Sequence, residues 1–292
     1  MIRIDTSRYR TPTQEDLDEA RDHVARRGST LDSLRRAAAE RITDTAGRIA
    51  EIAVQYGIAP EEFAFDSSVS EEMMTRVAAE MEDLEEQLMA MAREYATRDA
   101  HSDGMRALLL GMLLSLGHRN LGLRGTIHEY LWRTLRQTEG IIAAARGLGR
   151  TPTQTVSLVR SNIGQGVALA DMQRLSRYRH LYRAPFISSG GKATYSDGTP
   201  NVQGVPVSGM RATLSAVTNA VGKTLDYQNM VEMEQKGAIG YWQARGSDYD
   251  CAVCDDEVGF HGLGDMEYDE YPHISCCCIR IPIYRKEELD NY

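Results

Sequence analysis

All five cysteines of the chain fall in one stretch, CAVCDDEVGFHGLGDMEYDEYPHISCCC, residues 251–278. Their order is C-x2-C, then eighteen residues, then H-x2-C-C-C. Cys251 and Cys254 form a knuckle whose two sulfurs can reach one ion. His273, Cys276 and Cys278 supply a second half. In an extended segment Cys276 and Cys278 point to one side and Cys277 to the other. Thiolates and imidazole suit zinc, which takes four ligands in a tetrahedron. Five candidates thus compete for four places: Cys251, Cys254, His273 and Cys276 form the preferred set, with Cys278 the alternative fourth ligand. A lone C-x2-C is a weak signal, whereas two halves at ribbon-like separation are a much stronger one.

Three other chemistries use the same residues. A reduced, buried cysteine cluster needs no metal. A disulfide belongs to an oxidising compartment. A catalytic thiol needs a paired histidine, His273 or His261, but the sequence offers neither an oxyanion site nor a third member. Asp255, Asp256, Glu257, Asp265, Glu267, Asp269 and Glu270 lie between the two halves, with no Lys or Arg among them. A DNA-reading zinc module would not carry that charge beside its ligands, and the ligand order of a calcium loop is absent.

The elements around this stretch follow from capping residues and periodicity. Thr13, with Asp16 closing the box, caps a helix that stops at Gly28. Thr30 caps a second, ending near Gly57, with Leu31, Leu34, Ala38, Ile42, Ile49, Ile52 and Tyr56 on one face. Ser70 starts a long helix in which Met74, Val77, Met81, Leu84, Leu88, Met91 and Tyr95 form a heptad seam. That seam, on helix 71–97, packs within the chain or on a second copy. Further helices are expected at 103–117, 127–146, 153–164 and 167–183, with Ser102, Thr126 and Thr153 as caps and Gly147 as a stop. Residues 184–209 are rich in Gly, Ser and Pro and read as a loop or arm. A helix follows, with Leu214, Val217, Val221 and Leu225 on one face and Gly222 as a weak point. AIGYWQAR (238–245) and CIRIPIY (278–284) read as strands that pair antiparallel, with Pro282 favouring an edge.

The expected fold is α+β and mainly α. A helical region, 1–183, carries assembly contacts. The 184–209 arm follows it, then a module at 210–285 of one helix, two strands and a zinc knuckle, and a polar tail at 286–292. At 292 residues two or more folding units are expected. The formal charge of −9 argues against a dedicated nucleic-acid binder. MIRIDTSRYR leads into no apolar stretch, so no signal peptide is expected. MRALLLGMLLSLG (105–117) is too short to span a membrane, which takes about 20 residues. Folding in the cytosol is therefore expected, where clustered cysteines point to metal or catalysis.

The closing residues resemble the C-terminal signature of the phage head morphogenesis family, the Mu F-like minor capsid proteins. That signature has a Trp on a strand, an Asp, a C-x2-C, a Gly, then H-P-x-C-R-C and a Pro. Trp242, Asp248, Cys251, Cys254, Gly259, His273, Cys276, Cys278 and Pro282 match it, over roughly the last fifty residues. The Arg that the signature carries just before its first cysteine is missing, and Asp250 stands nearby. Ile274 replaces the Pro after the histidine, and Cys277 the Arg between the last cysteines. The resemblance implies a minor capsid component of the virion, assembled in the host cytoplasm and acting near the portal in head assembly or DNA delivery. The implied partners are the portal protein and the major capsid protein, with no membrane contact and no enzymatic reaction. Some family members carry a fused toxin enzyme beyond the signature; none is expected here.

DMQRLSRYRHLYRAPF (171–186) interleaves Arg174, Arg177, Arg179 and Arg183 with tyrosines. Such a pattern suits packaged DNA, carboxylates of a protein partner, or a solvated helix face. HEYLW (128–132) lacks the second histidine of a zincin helix. GKT (222–224) lacks the earlier Gly of a phosphate loop. Two other function classes use the same features. One is a metal-dependent hydrolase or nuclease with one zinc position open to water and Glu257 or Asp255 as base. The other is a cytosolic regulator that binds DNA through 171–186.

Overall fold

The computed structural model describes residues 8–57, 67–117, 121–132, 134, 148–164, 186–187, 205–206, 209–246, 258–263 and 278–286. These are mainly helical, with a small antiparallel sheet near the C-terminus, in line with the expected class.

Helix α1, Gln14–Gly57, opens on the expected box. The Asp16 amide donates to Thr13 Oγ1, and the Thr13 amide donates to Asp16 Oδ2 at 2.6 Å. The helix does not stop at Gly28. Ala20, Arg27, Leu31, Leu34 and Ala38 are all buried, so one stripe keeps its phase across the glycine. Continuing that stripe outweighs the roughly 1 kcal/mol that a mid-helix glycine costs, and Thr30 becomes an interior residue rather than a cap.

Helix α2, Ser67–Thr97, starts one turn earlier than expected and packs antiparallel to α1, with Arg48 bonded to Glu80 and Gln55 to Arg76. Val77, Met81, Leu84 and Leu88 of the heptad seam are buried, with Met74, Met91 and Tyr95 packed at its margin. The seam is thus covered within the chain. A second copy engaging it would have to displace these contacts.

Helix α3, Asp103–Ser115, is capped by Ser102, whose side chain accepts from the Met105 amide. Residues 122–132 form α4. This helix begins a turn before Thr126, because Leu123 and Ile127 both bury in the core. Thr126 is interior and donates back to the Gly122 carbonyl at 2.8 Å. Helix α5, Pro152–Gly164, is capped by Thr151 rather than Thr153. The Gln154 amide donates to Thr151 Oγ1 and the Thr151 amide donates to Gln154 Oε1, with Pro152 at the first helical position, where its missing N–H is not needed. The expected helix at 167–183 and the Gly147 stop lie outside the described residues.

Phe186–Ile187 (β1) and Val205–Pro206 (β2) form a short antiparallel ladder at the two ends of the Gly/Ser/Pro-rich stretch. Helix α6, Gly209–Gln235, serves two cores. Met210, Val217, Ala220, Val221 and Leu225 join the main helical core. Met230 and Met233 join a second cluster with Ala238 and Tyr241 beneath the sheet. Gly222 is a close-approach position rather than a weak point. A Cβ there would stand 3.2 Å from Leu31 of α1.

The helix ends on Gly237 at φ +83°. The Ala238 amide donates to the Met233 carbonyl and the Gly237 amide to that of Glu234, the two bonds of a Schellman stop. Gly237→Ala is expected to cost about 1–2 kcal/mol, since a Cβ is strained in the left-handed region. A lower urea midpoint at unchanged slope would register it; an unchanged midpoint would contradict it.

The sheet has the order β4-β3-β5, with β3 Gly240–Ala244, β4 Gly259–Gly262 and β5 Ile279–Ile283. The two expected strands pair antiparallel, and Pro282 lies on an edge strand opposite Tyr241. Past Pro282 the N-terminal residues join in. Tyr9 bridges Arg285, and the Arg10 amide donates to the Tyr284 carbonyl. Strand β4 lies within the cysteine region and was not expected, because GFHG is short and flanked by glycines. Gly240 admits it: a Cβ there would collide with the His261 carbonyl and the Phe260 ring.

Candidate functional site

The sheet register fixes where the two cysteine half-sites leave and enter the fold. Ala244, the last residue of β3, stands opposite Ile279, the first of β5. Gln243 stands opposite Gly259, the first of β4. The segment carrying Cys251 and Cys254 therefore leaves β3 and returns to β4 at one end of the sheet. The segment carrying His273, Cys276 and Cys278 enters β5 at the same end. Adjacent strands lie about 4.8 Å apart, so the three entry points fall within about 10 Å of one another. In sequence, Cys251 follows Ala244 by seven residues, Cys254 precedes Gly259 by five, and His273 precedes Ile279 by six. Cys278 directly precedes β5 and is buried.

Cys251, Cys254, His273 and Cys276 lie outside the described residues, as do Arg174, Arg177, Arg179 and Arg183. Among the described residues no group of three or more His, Cys, Asp and Glu side chains is placed to hold a metal ion. Among them, too, no helix is long and apolar enough to cross a membrane. The donor chemistry of the five candidates, three entry points meeting at one sheet end, and a buried cysteine there all fit a structural zinc ion. In that role zinc would cross-link the two segments and supply folding free energy.

Besides Cys278, three signature residues can be located. Trp242, in β3, pairs with Phe260 on one side and Ile281 on the other. Gly259 opens β4 at φ +153°, a conformation L side chains rarely adopt. Pro282 takes the edge, where its lack of an N–H breaks no ladder. Comparison of the chain with protein-family models, with curated proteins and with solved structures gives no match.

Beside this sheet end lies a charged node that the sequence reading missed. Asp226 of α6 is only 2% exposed. Its Oδ1 is 3.1 Å from Arg280 Nη1 and 3.2 Å from His23 Nε2, and its Oδ2 is 3.2 Å from Arg27 Nε. Arg27 and Arg280 are themselves buried. Burial alone would push the Asp226 carboxyl up, but the two guanidinium groups outweigh it and hold the carboxyl well below its ordinary range. Arg280 also lies over the Tyr241 ring, and Tyr241 stacks on His261. The node joins α1, α6 and β5 at the place where the helical core gives way to the cluster beneath the sheet. Arg280 is buried along with Ile281, Pro282 and Ile283, so both faces of β5 are interior.

Proposed function

We propose that the chain is a bacteriophage minor capsid, or head morphogenesis, protein: a structural component acting near the portal during head assembly or DNA packaging and delivery. The observation that carries this reading is the C-terminal series Trp242, Asp248, Cys251, Cys254, Gly259, His273, Cys276, Cys278 and Pro282. It is supported by a sheet register that sets Ala244, Gly259 and Ile279, which flank the two cysteine segments, at one end. On this reading the module at 210–285 is held by a structural zinc ion and performs no catalysis. The portal protein and the major capsid protein are the partners. Arg174, Arg177, Arg179 and Arg183 are the proposed contacts to packaged DNA, and the protein resides in the virion after assembly in the host cytoplasm.

The test is composition of intact particles. The chain is expected to co-purify with portal and major capsid protein through a density gradient and to resist removal by salt washing. A soluble monomer absent from particles would sink the proposal.

A further inference from the structure

HEYLW fails as a metal-binding helix, yet the structure puts its side chains to a different use. Ala78, Met81, Glu82 and Glu85 form one stripe along α2, at the three-and-four spacing that places residues on one helix face. His128, Leu131 and Trp132 form a facing stripe on α4. Together the two stripes line a shallow cleft. Met81 and Leu131 are buried at its base. Trp132 is 45% exposed and lies parallel to His128, with ring centroids 6.1 Å apart and planes 11° from one another.

Among the described residues the charges of the cleft do not balance. Glu85 is fully engaged: Arg124 Nε lies 2.7 Å from its Oε1 and His128 Nδ1 2.9 Å from its Oε2. Arg124 also reaches Glu86 at 3.0 Å. These contacts fix the His128 ring, and through it the plane of Trp132. Glu82 lines the same cleft, is exposed, and has no partner among the described residues. Three carboxylates, Glu82, Glu85 and Glu86, thus surround one guanidinium and one imidazole.

We propose that this cleft is a docking site for an arginine side chain on a protein partner. An exposed indole face attracts a cation through its ring quadrupole, and a weakly hydrated planar guanidinium can stack on it while bonding a carboxylate. The apolar base formed by Met81 and Leu131 suits the aliphatic stem of such a side chain. Glu82 supplies a negative charge that has no partner among the described residues. The site stands on the α2–α4 groove alone and does not depend on the capsid reading.

The chain has two tryptophans, Trp132 and Trp242. In a Trp242→Phe background, indole fluorescence therefore reports on the cleft. The probe is acetyl-Gly-Arg-Gly-amide, and its counterpart carries citrulline, which keeps the shape and loses the charge. The arginine peptide is expected to give a saturable change. The citrulline peptide, and the arginine peptide on Glu82→Gln, are expected to bind about tenfold more weakly, the factor that follows from losing one charged contact. Trp132→Ala, followed by calorimetry, is expected to lose binding to a similar degree. Both positions are exposed, and far-ultraviolet dichroism checks that the variants keep their helices. Equal binding of the two peptides, an unchanged affinity in Glu82→Gln, or a non-saturable response would each overturn the proposal.

Discussion

Replacing Asp226 with Asn is expected to cost about 3–5 kcal/mol of stability, the range seen when one member of a buried ion pair is removed. The carboxylate is almost fully buried and is the shared counter-charge of Arg27 and Arg280, both of them buried too. An amide of the same shape leaves two guanidinium groups in a low-dielectric interior with only a dipole between them. Removing one cation instead, as in Arg280→Met, leaves Asp226 paired with Arg27 and is expected to cost less. The two substitutions share a partner, so their effects should not add. Denaturant titration of the two single variants and the double variant reads all three. A loss under about 1 kcal/mol for Asp226→Asn would mean that the node carries little of the stability.

The same group sets a pH dependence of defined sign. The folded-state value of Asp226 lies below its ordinary value of 3.8. Its contribution is therefore present above that value and is lost as the pH falls from 3.8 towards the folded-state value. The stability gap between the natural chain and Asp226→Asn should shrink on acidification below about pH 4. A gap that widens there would contradict the assignment.

Much of the fold could be read from local pattern, because those residues answer to local rules. The Thr13–Asp16 box, the Ser102 cap, the 31–52 stripe and the extended character of 240–244 and 279–283 all depend on neighbours close in sequence. What escaped the reading depends on distant partners. Gly28 looked like a stop until the stripe from Ala20 to Ala38 was seen to bury on both sides of it. Thr126 looked like a cap because the burial of Leu123 one turn earlier leaves no local mark. Gly222 looked like a defect because its reason is Leu31 on another helix. The Asp226 node was invisible for the same cause: His23 and Asp226 are 203 residues apart in sequence. Of the candidate metal site, the spacing was legible and Cys278 can be placed. That the residues flanking the two halves, Ala244, Gly259 and Ile279, meet at one end of the sheet is a convergence that emerges only from the strand register, which no spacing rule contains.

That convergence yields the second large effect. One equivalent of zinc is expected per chain, and Cys254→Ser is expected to lose most of it, whereas Cys277→Ser should keep it. Structural zinc binding in small modules amounts to roughly 10–16 kcal/mol of apparent free energy, most of it expressed as folding. Chelation should therefore release the segments between Ala244 and Ile279 to protease, while the helical core built on Leu34, Leu84 and Leu88 keeps its dichroism. The sheet itself has a second anchor in Arg280 and Asp226, so chelation combined with Asp226→Asn should unfold the module more completely than either alone. Cys276→Ser and Cys278→Ser separate the two choices of fourth ligand: the true ligand loses metal when changed, and the other retains it. Cys278 is the harder case, because a buried serine at the start of β5 perturbs packing even without a metal role. Metal content, measured on folded protein, is therefore the deciding quantity there rather than stability. Equal zinc in the natural chain and in Cys254→Ser would reject the ligand set, and with it the main physical support for reading the two half-sites as one centre.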